Sequence, residues 1–133
     1  MYLKKINLKN KTALVTGAGK GIGLACAVAL AEAGADLIII SRTQKDLDKV
    51  EKIVKRFKSK CISFSCDVTN YVKIKNFINS QKKIDILVNN AGVVIKRSSF
   101  MNSDDKLWQN SIDLNLMSAV RTTRIASKLL MKS

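Results

Sequence analysis

Apolar positions along the chain follow two alternating rhythms. Short runs such as Ala13-Leu14-Val15, Leu37-Ile38-Ile39-Ile40 and Ile84-Asp85-Ile86-Leu87-Val88 are rich in β-branched residues, as strands buried on both faces should be. Between such runs, apolar residues recur every three or four positions. Leu47, Val50, Ile53, Val54 and Phe57 make one such stripe, with Lys45, Lys49, Lys52, Lys55, Arg56 and Lys58 as its solvated face. The pattern predicts strands at 12–16, 36–41, 61–66 and 84–88, and helices at 21–33, 43–57, 70–80 and 103–131. Thr43 and Ser103 are the expected N-caps, with Asp104 and Asp105 complementing the positive end of the last helix. Regular alternation of this kind implies an α/β chain: a doubly wound parallel sheet in three α/β/α layers, with right-handed crossovers and strand order 3-2-1-4.

The join between the first strand and first helix carries the most chemistry. It reads Thr16-Gly17-Ala18-Gly19-Lys20-Gly21-Ile22-Gly23. Glycines let the backbone turn tightly and let a bulky anion approach the first helical amides, which lack partners of their own. A ligand-free Gly-rich turn would look similar, but this position between strand and helix is that of a pyrophosphate-binding turn.

Gly17, Gly21 and Gly23 are spaced Gly-x-x-x-Gly-x-Gly after Thr16, and further signatures follow in order. Asp67-Val68 ends the third apolar strand, Asn89-Asn90-Ala91-Gly92 ends the fourth, and Asn115 lies in the final helix. Together these resemble the classical short-chain dehydrogenase/reductases over roughly Leu8 to Leu130. The resemblance implies a Rossmann-type fold and hydride transfer between a nicotinamide and a carbonyl or alcohol carbon of a small molecule, either 3-oxoacyl reductase-like or polyol- or sugar-dehydrogenase-like. Complete members are roughly twice as long, with a catalytic Ser and a Tyr-x-x-x-Lys pair beyond a fifth strand. The 133 residues here therefore correspond to a Rossmann domain truncated after its fourth strand and following helix. The chain alone is expected to lack reductase activity. A non-catalytic dinucleotide-binding module is the alternative. An uncovered sheet edge and helix face would make the isolated chain poorly soluble.

The second strand ends Ile40-Ser41-Arg42, so Ser41 stands where NAD-binding folds place a carboxylate on the ribose 2′-hydroxyl. Arg42 and Lys20 offer positive charge for a 2′-phosphate, and basic residues at these places go with NADP in the resembled family. NADP rather than NAD is therefore the expected cofactor. Asp67 is placed to accept from the adenine amino group with Val68 against the ring, unless Asp67-Val68-Thr69 is only a strand end and cap. The resemblance implies that Asn89 braces the central strands while Ala91 and Gly92 lie against the cofactor ribose. It implies also that Asn115 bends its helix and that its main-chain carbonyl holds a water of the proton relay, a catalytic role. Asn is otherwise a poor helix-interior residue. Val93 to Phe100, with Lys96 and Arg97, would border the substrate cleft. Tyr71-Val72-Lys73-Ile74-Lys75 also fits Tyr-x-x-x-Lys, but it opens the helix after Asp67-Val68, near the adenine end, and a chance match explains it better.

Composition adds little to this picture. The formal net charge is +14, yet the basic residues are spread along the chain without interleaved aromatics, which argues against a nucleic-acid partner. Cys26, Cys61 and Cys66 are odd in number, and the absence of His leaves metal ligands short, so buried free thiols in a reducing cytoplasm and no metal are expected. Met1-Tyr2-Leu3-Lys4-Lys5 shows no signal peptide, and no run approaches a membrane span. For the complete protein, the resemblance implies a homo-oligomer associated through the last helix.

Overall fold

In the computed structural model, which describes residues 5–133, the apolar runs become four parallel strands. The N-terminal residues Met1 to Lys4 lie outside the described part. The strands are β1 (Thr12–Thr16), β2 (Asp36–Ser41), β3 (Cys61–Ser65) and β4 (Ile86–Val88), in the expected order β3-β2-β1-β4. β1 sits centrally, pairing Leu14 with Ile38 on one side and with Leu87 on the other.

Alternate residues of the central strands feed two separate cores. Ala13, Val15, Leu37 and Ile39 pack beneath α1 (Gly21–Glu32) and α2 (Gln44–Lys55). Leu14, Ile38 and Ile40 face α3 (Tyr71–Asn79) and α5 (Ser118–Leu130) across the sheet. That two-sided burial is why these runs lack the polar alternation of a half-exposed strand. α1 presents Gly23, Ala27 and Ala31, one small residue per turn, so its backbone lies close to the sheet. On the opposite side the Phe64 and Phe77 rings stack with centroids 4.1 Å apart, fixing α3 to β3.

The boundaries differ from the sequence reading in informative ways. β4 begins at Ile86 because Asp85 is spent differently: its main-chain N–H donates to Thr12 O, and its carboxylate accepts from Thr12 N. β3 stops at Ser65, before Cys66. α2 stops at Lys55, leaving Phe57 beyond it and 40% exposed, outside the stripe assigned to it. Thr43 occupies the N-cap position of α2 without a side-chain cap bond.

The long final helix is the main correction. It starts at α4 (Asp105–Ile112), capped by Asp104, which accepts from Leu107 N at 2.8 Å. Ser103 does not cap it. Its hydroxyl donates to Phe100 O at the end of a short 3₁₀ turn (Phe100–Asn102) and accepts from Trp108 Nε1. A π turn (Asp113–Met117) then separates α4 from α5. Of the thiols, Cys66 is buried while Cys26 and Cys61 are only half-buried; all three are free.

Candidate functional site

The carboxyl ends of all four strands open into one cleft. β1 delivers the glycine turn, in which Gly17 and Gly21 have φ of +64° and +58°. Ala18 N donates to Ile40 O, tying the turn to the end of β2. α1 then begins with Lys20 as N-cap, with no side-chain cap bond and no acidic residue in its first turn. The first main-chain N–H groups of an uncapped helix have no partners within the helix, and the helix dipole favours negative charge beside them.

The cavity has a volume of about 520 Å³. Gly17, Gly19, Lys20, Gly21 and Ile22 form one side of it, and Ser41 and Arg42 close the β2 end. Asp67, Val68, Ala91 and Gly92 line the other side, so eleven of the fifteen expected residues meet here. Thr16, Gly23, Asn89 and Asn115 do not line it; Thr16 and Gly23 are buried next to it, whereas Asn89 and Asn115 are exposed. A methyl group on Gly19 would come within 2.7 Å of Ser41 Oγ, so the turn passes close to the end of β2 and a larger residue would require the Ser41 side chain to move.

Thr16 is buried, and its hydroxyl oxygen accepts from both Asn90 N and Ala91 N at 3.1 Å. Bracing between the central strands thus comes from Thr16 and from Asn90, whose amide donates to Gly17 O at 3.1 Å. Asn89, expected to do this, instead donates to Thr123 Oγ1 and ties the end of β4 to α5. The adjacent pair of asparagines signals the motif, but not which of them faces inward. Cys66, Asn90 and Leu114 also line the cavity without having been assigned to it from sequence, and Val93, expected at the border of the substrate cleft, lines it too.

Asp67 is the single carboxylate lining this cavity. It accepts from Thr69 N at 2.9 Å and from Thr69 Oγ1 at 2.8 Å. Those bonds, with the Arg42 charge nearby, hold its carboxyl below the usual range against partial desolvation. Its cap geometry and its place in the cleft coexist. Burial pushes the neighbouring Cys66 thiol up.

Asn115 sits in the middle of the π turn with its side chain turned onto the strand-end segment. Its carbonyl oxygen accepts from Val93 N at 2.9 Å, and its amide donates to Val93 O and to Ser111 O. A methyl group on Gly92 would lie 2.6 Å from Asn115 Oδ1. Val93 to Phe100 is exposed throughout; Val93 lines this cavity, and Val94 and Ile95 line an adjoining one that shares Arg42, Asp67 and Leu114 with it. Tyr71 and Lys75 do not line the cavity; the Lys75 ammonium lies 5.9 Å from the Tyr71 ring centroid.

This constellation has counterparts over nearly the whole chain. Residues 11–133 match the family described as short chain dehydrogenase. The chain belongs to that family. A 2-dehydro-3-deoxy-D-gluconate 5-dehydrogenase of Pseudoalteromonas atlantica is 40% identical over 131 residues, 95% of this chain and 51% of its own length. Carveol dehydrogenase from Mycobacterium avium, solved in complex with NAD, superposes with a TM-score of 0.90 at 27% identity, over 96% of this chain and 52% of that one. L-sorbose reductase from Gluconobacter frateurii, complexed with NADPH and L-sorbose, gives 0.88 at 29% identity, over 96% of this chain and 50% of that one. The chain thus spans about half the length of the short chain dehydrogenases it matches. These relatives are oxidoreductases, and the neighbours bind a nicotinamide cofactor of either kind. Among the described residues, no helix is long and apolar enough to cross a membrane, and no cluster of three His, Cys, Asp or Glu stands ready for a metal.

Proposed function

We propose that this chain is the cofactor-binding portion of an NADP(H)-dependent oxidoreductase acting on a small polyhydroxylated carbonyl or alcohol. The carrying observation is the β2 end of the cleft. Ser41 and Arg42 line it with Lys20, and the single carboxylate of the cavity, Asp67, lies just beyond β3. A guanidinium there attracts a 2′-phosphate, whereas the carboxylate typical of NAD sites would repel one. The uncapped start of α1 takes the pyrophosphate, and Ala91 and Gly92 present backbone to the ribose. A nicotinamide bound there would supply the hydride. The likeness to the dehydrogenase of Pseudoalteromonas and the sorbose reductase of Gluconobacter supports the sugar-like substrate class.

Asn115 is assigned to the proton-relay side of the cleft through its main-chain carbonyl. Tyr71 and Lys75 take no part in proton transfer, so the 133-residue chain binds cofactor without turnover. Titration of NADPH and NADH, followed by nicotinamide fluorescence, tests the reading. NADPH should bind about tenfold or more tighter, the size of one charge-assisted contact. Equal affinity would remove the NADP assignment, and binding of neither would remove the cofactor reading.

A further inference from the structure

We infer that Arg121 is a positioning residue that sets the register of the π turn and so holds Asn115 against the cofactor segment. The inference rests on the cofactor-binding reading for its consequence, but not for its geometry.

Arg121 Nη1 lies 2.8 Å from Asp113 Oδ1, eight residues earlier in the same helical run. In an uninterrupted α-helix, eight residues at about 100° each leave two side chains roughly 80° apart around the axis. They would then point to different faces. One extra residue absorbed by the π turn makes the pair equivalent to positions seven apart, which share a face within roughly 20°. The ion pair therefore fits the π register and does not fit a regular helix. Both side chains are about one-third exposed, so the attraction is only partly screened.

That register presents Asn115. Its amide donates to Ser111 O while its other contacts clasp both main-chain groups of Val93. Ser118 Oγ donates to Leu114 O, meeting another carbonyl of the widened turn. Reverting to a regular helix would rotate Asn115 away and release Val93, the residue immediately after Gly92.

Arg121 also reaches a second element. Its guanidinium carbon lies 5.9 Å from the centroid of the Tyr71 ring, and Lys75 stands at the same distance from that ring. Tyr71 opens α3 just beyond Asp67-Val68-Thr69. A second cavity of about 470 Å³ has Asp67 and Thr69 on one wall and Asn110, Asp113 and Leu114 on the other. Arg121 thus ties both walls from behind, through Tyr71 to α3 and through Asp113 to the π turn. The Tyr-x-x-x-Lys pattern at 71–75 has its use here, as a cation-binding ring in the packing.

Amide hydrogen exchange on the ligand-free 133-residue chain tests this, together with NADPH titration. Arg121→Met should speed exchange of the Val93 amide about three- to tenfold, the size of a partly exposed charge-assisted bond, and weaken NADPH by a similar factor. The Ile39 amide should not change, and Arg121→Lys should restore Val93 protection. Unchanged Val93 exchange in Arg121→Met overturns the inference. If that variant fails to fold, Asp113→Asn removes the same pair from its other end, and unchanged Val93 exchange there is equally decisive. Should the wild type bind no NADPH, the cofactor reading fails, while the Val93 result still decides the role of Arg121.

Discussion

A methyl group placed on Gly23 would stand 2.1 Å from the carbonyl oxygen of Gly17. The first turn of α1 therefore rests backbone to backbone on the end of β1, with Asn90 closing the gap from β4 at 3.1 Å. Gly23→Ala cannot be accommodated by rotating a side chain, because the obstacle is main chain. Overpacking of this kind destabilises by about 1–3 kcal/mol. Calorimetry should show a melting point several degrees lower, and NADPH binding should be lost even at temperatures where the variant is folded. A variant that melts and binds like wild type would refute the close-contact argument.

Arg42 stands at the β2 end of the cleft, exposed and beside Ser41. Truncating Arg42→Ala removes the guanidinium assigned to the 2′-phosphate and leaves the rest of the cleft intact. NADPH affinity should fall about tenfold to a hundredfold, whereas NADH affinity should change little. Parallel fluorescence titrations of the two cofactors measure this directly. Equal losses for both would place the arginine elsewhere in binding.

Asp85 offers a test of the fold independent of any ligand. Its side chain is 3% exposed, accepts from Thr12 N and Ser133 Oγ, and lies between the ammonium groups of Lys11 and Lys83. Burial alone would raise its pKa, but those donors and charges win and hold it below the usual carboxylate range. A folded-state pKa lower than the unfolded one means that the unfolded chain takes up protons first as pH falls. The stabilisation is thus fully present above the ordinary carboxylate value of about 4 and fades as pH drops through the lower folded value. Asp85→Ala, which strands the half-buried Thr12 amide, should lose about 1–3 kcal/mol near neutral pH in urea titrations. The gap from wild type should narrow below about pH 4. A gap that widens under acid would reverse the assignment.

Cys61 is half-buried on β3, where desolvation, followed by the Glu51 carboxylate, pushes its thiol up to about 12 despite Lys55 nearby. Only the thiolate reacts with iodoacetamide. Near pH 8 the native residue should be alkylated slower than the same cysteine in urea by roughly two orders of magnitude or more. Mass spectrometry of pulse-labelled peptides reads the ratio. Comparable rates would show that the strand does not shield it.

Much of this was legible from residue patterns because burial on both faces imprints the strands. The Leu37 to Ile40 run could be nothing but interior, and it fixed β2 with the cofactor turn beside it. Eleven of the fifteen expected site residues meet at one cavity, since strand ends gather wherever parallel strands share a sheet. What pattern could not show were choices between neighbours. Asp104 rather than Ser103 caps α4, because Ser103 is engaged by Phe100 and Trp108. Asn90 rather than Asn89 bridges to β1, because only one of two consecutive side chains can face inward. A bend at Asn115 was expected from the resemblance, but its form as a π turn was not: apolar spacing changes by a single residue there, and the bonds of Asn115 to Val93 and the Asp113–Arg121 pair mark it.

The cleft draws its walls from residues as far apart in sequence as Gly17 and Leu114. A dinucleotide seated there would touch the ends of segments that are otherwise joined by the sheet and a few hydrogen bonds such as Asn90 to Gly17 O and Asn115 to Val93. Occupancy at a hundred times the dissociation constant would add about 2.7 kcal/mol to the folded state, a sizeable share of a domain's whole margin. Survival of the chain against proteolysis would then follow the supply of its own cofactor, which makes the nucleotide a folding partner as much as a reagent.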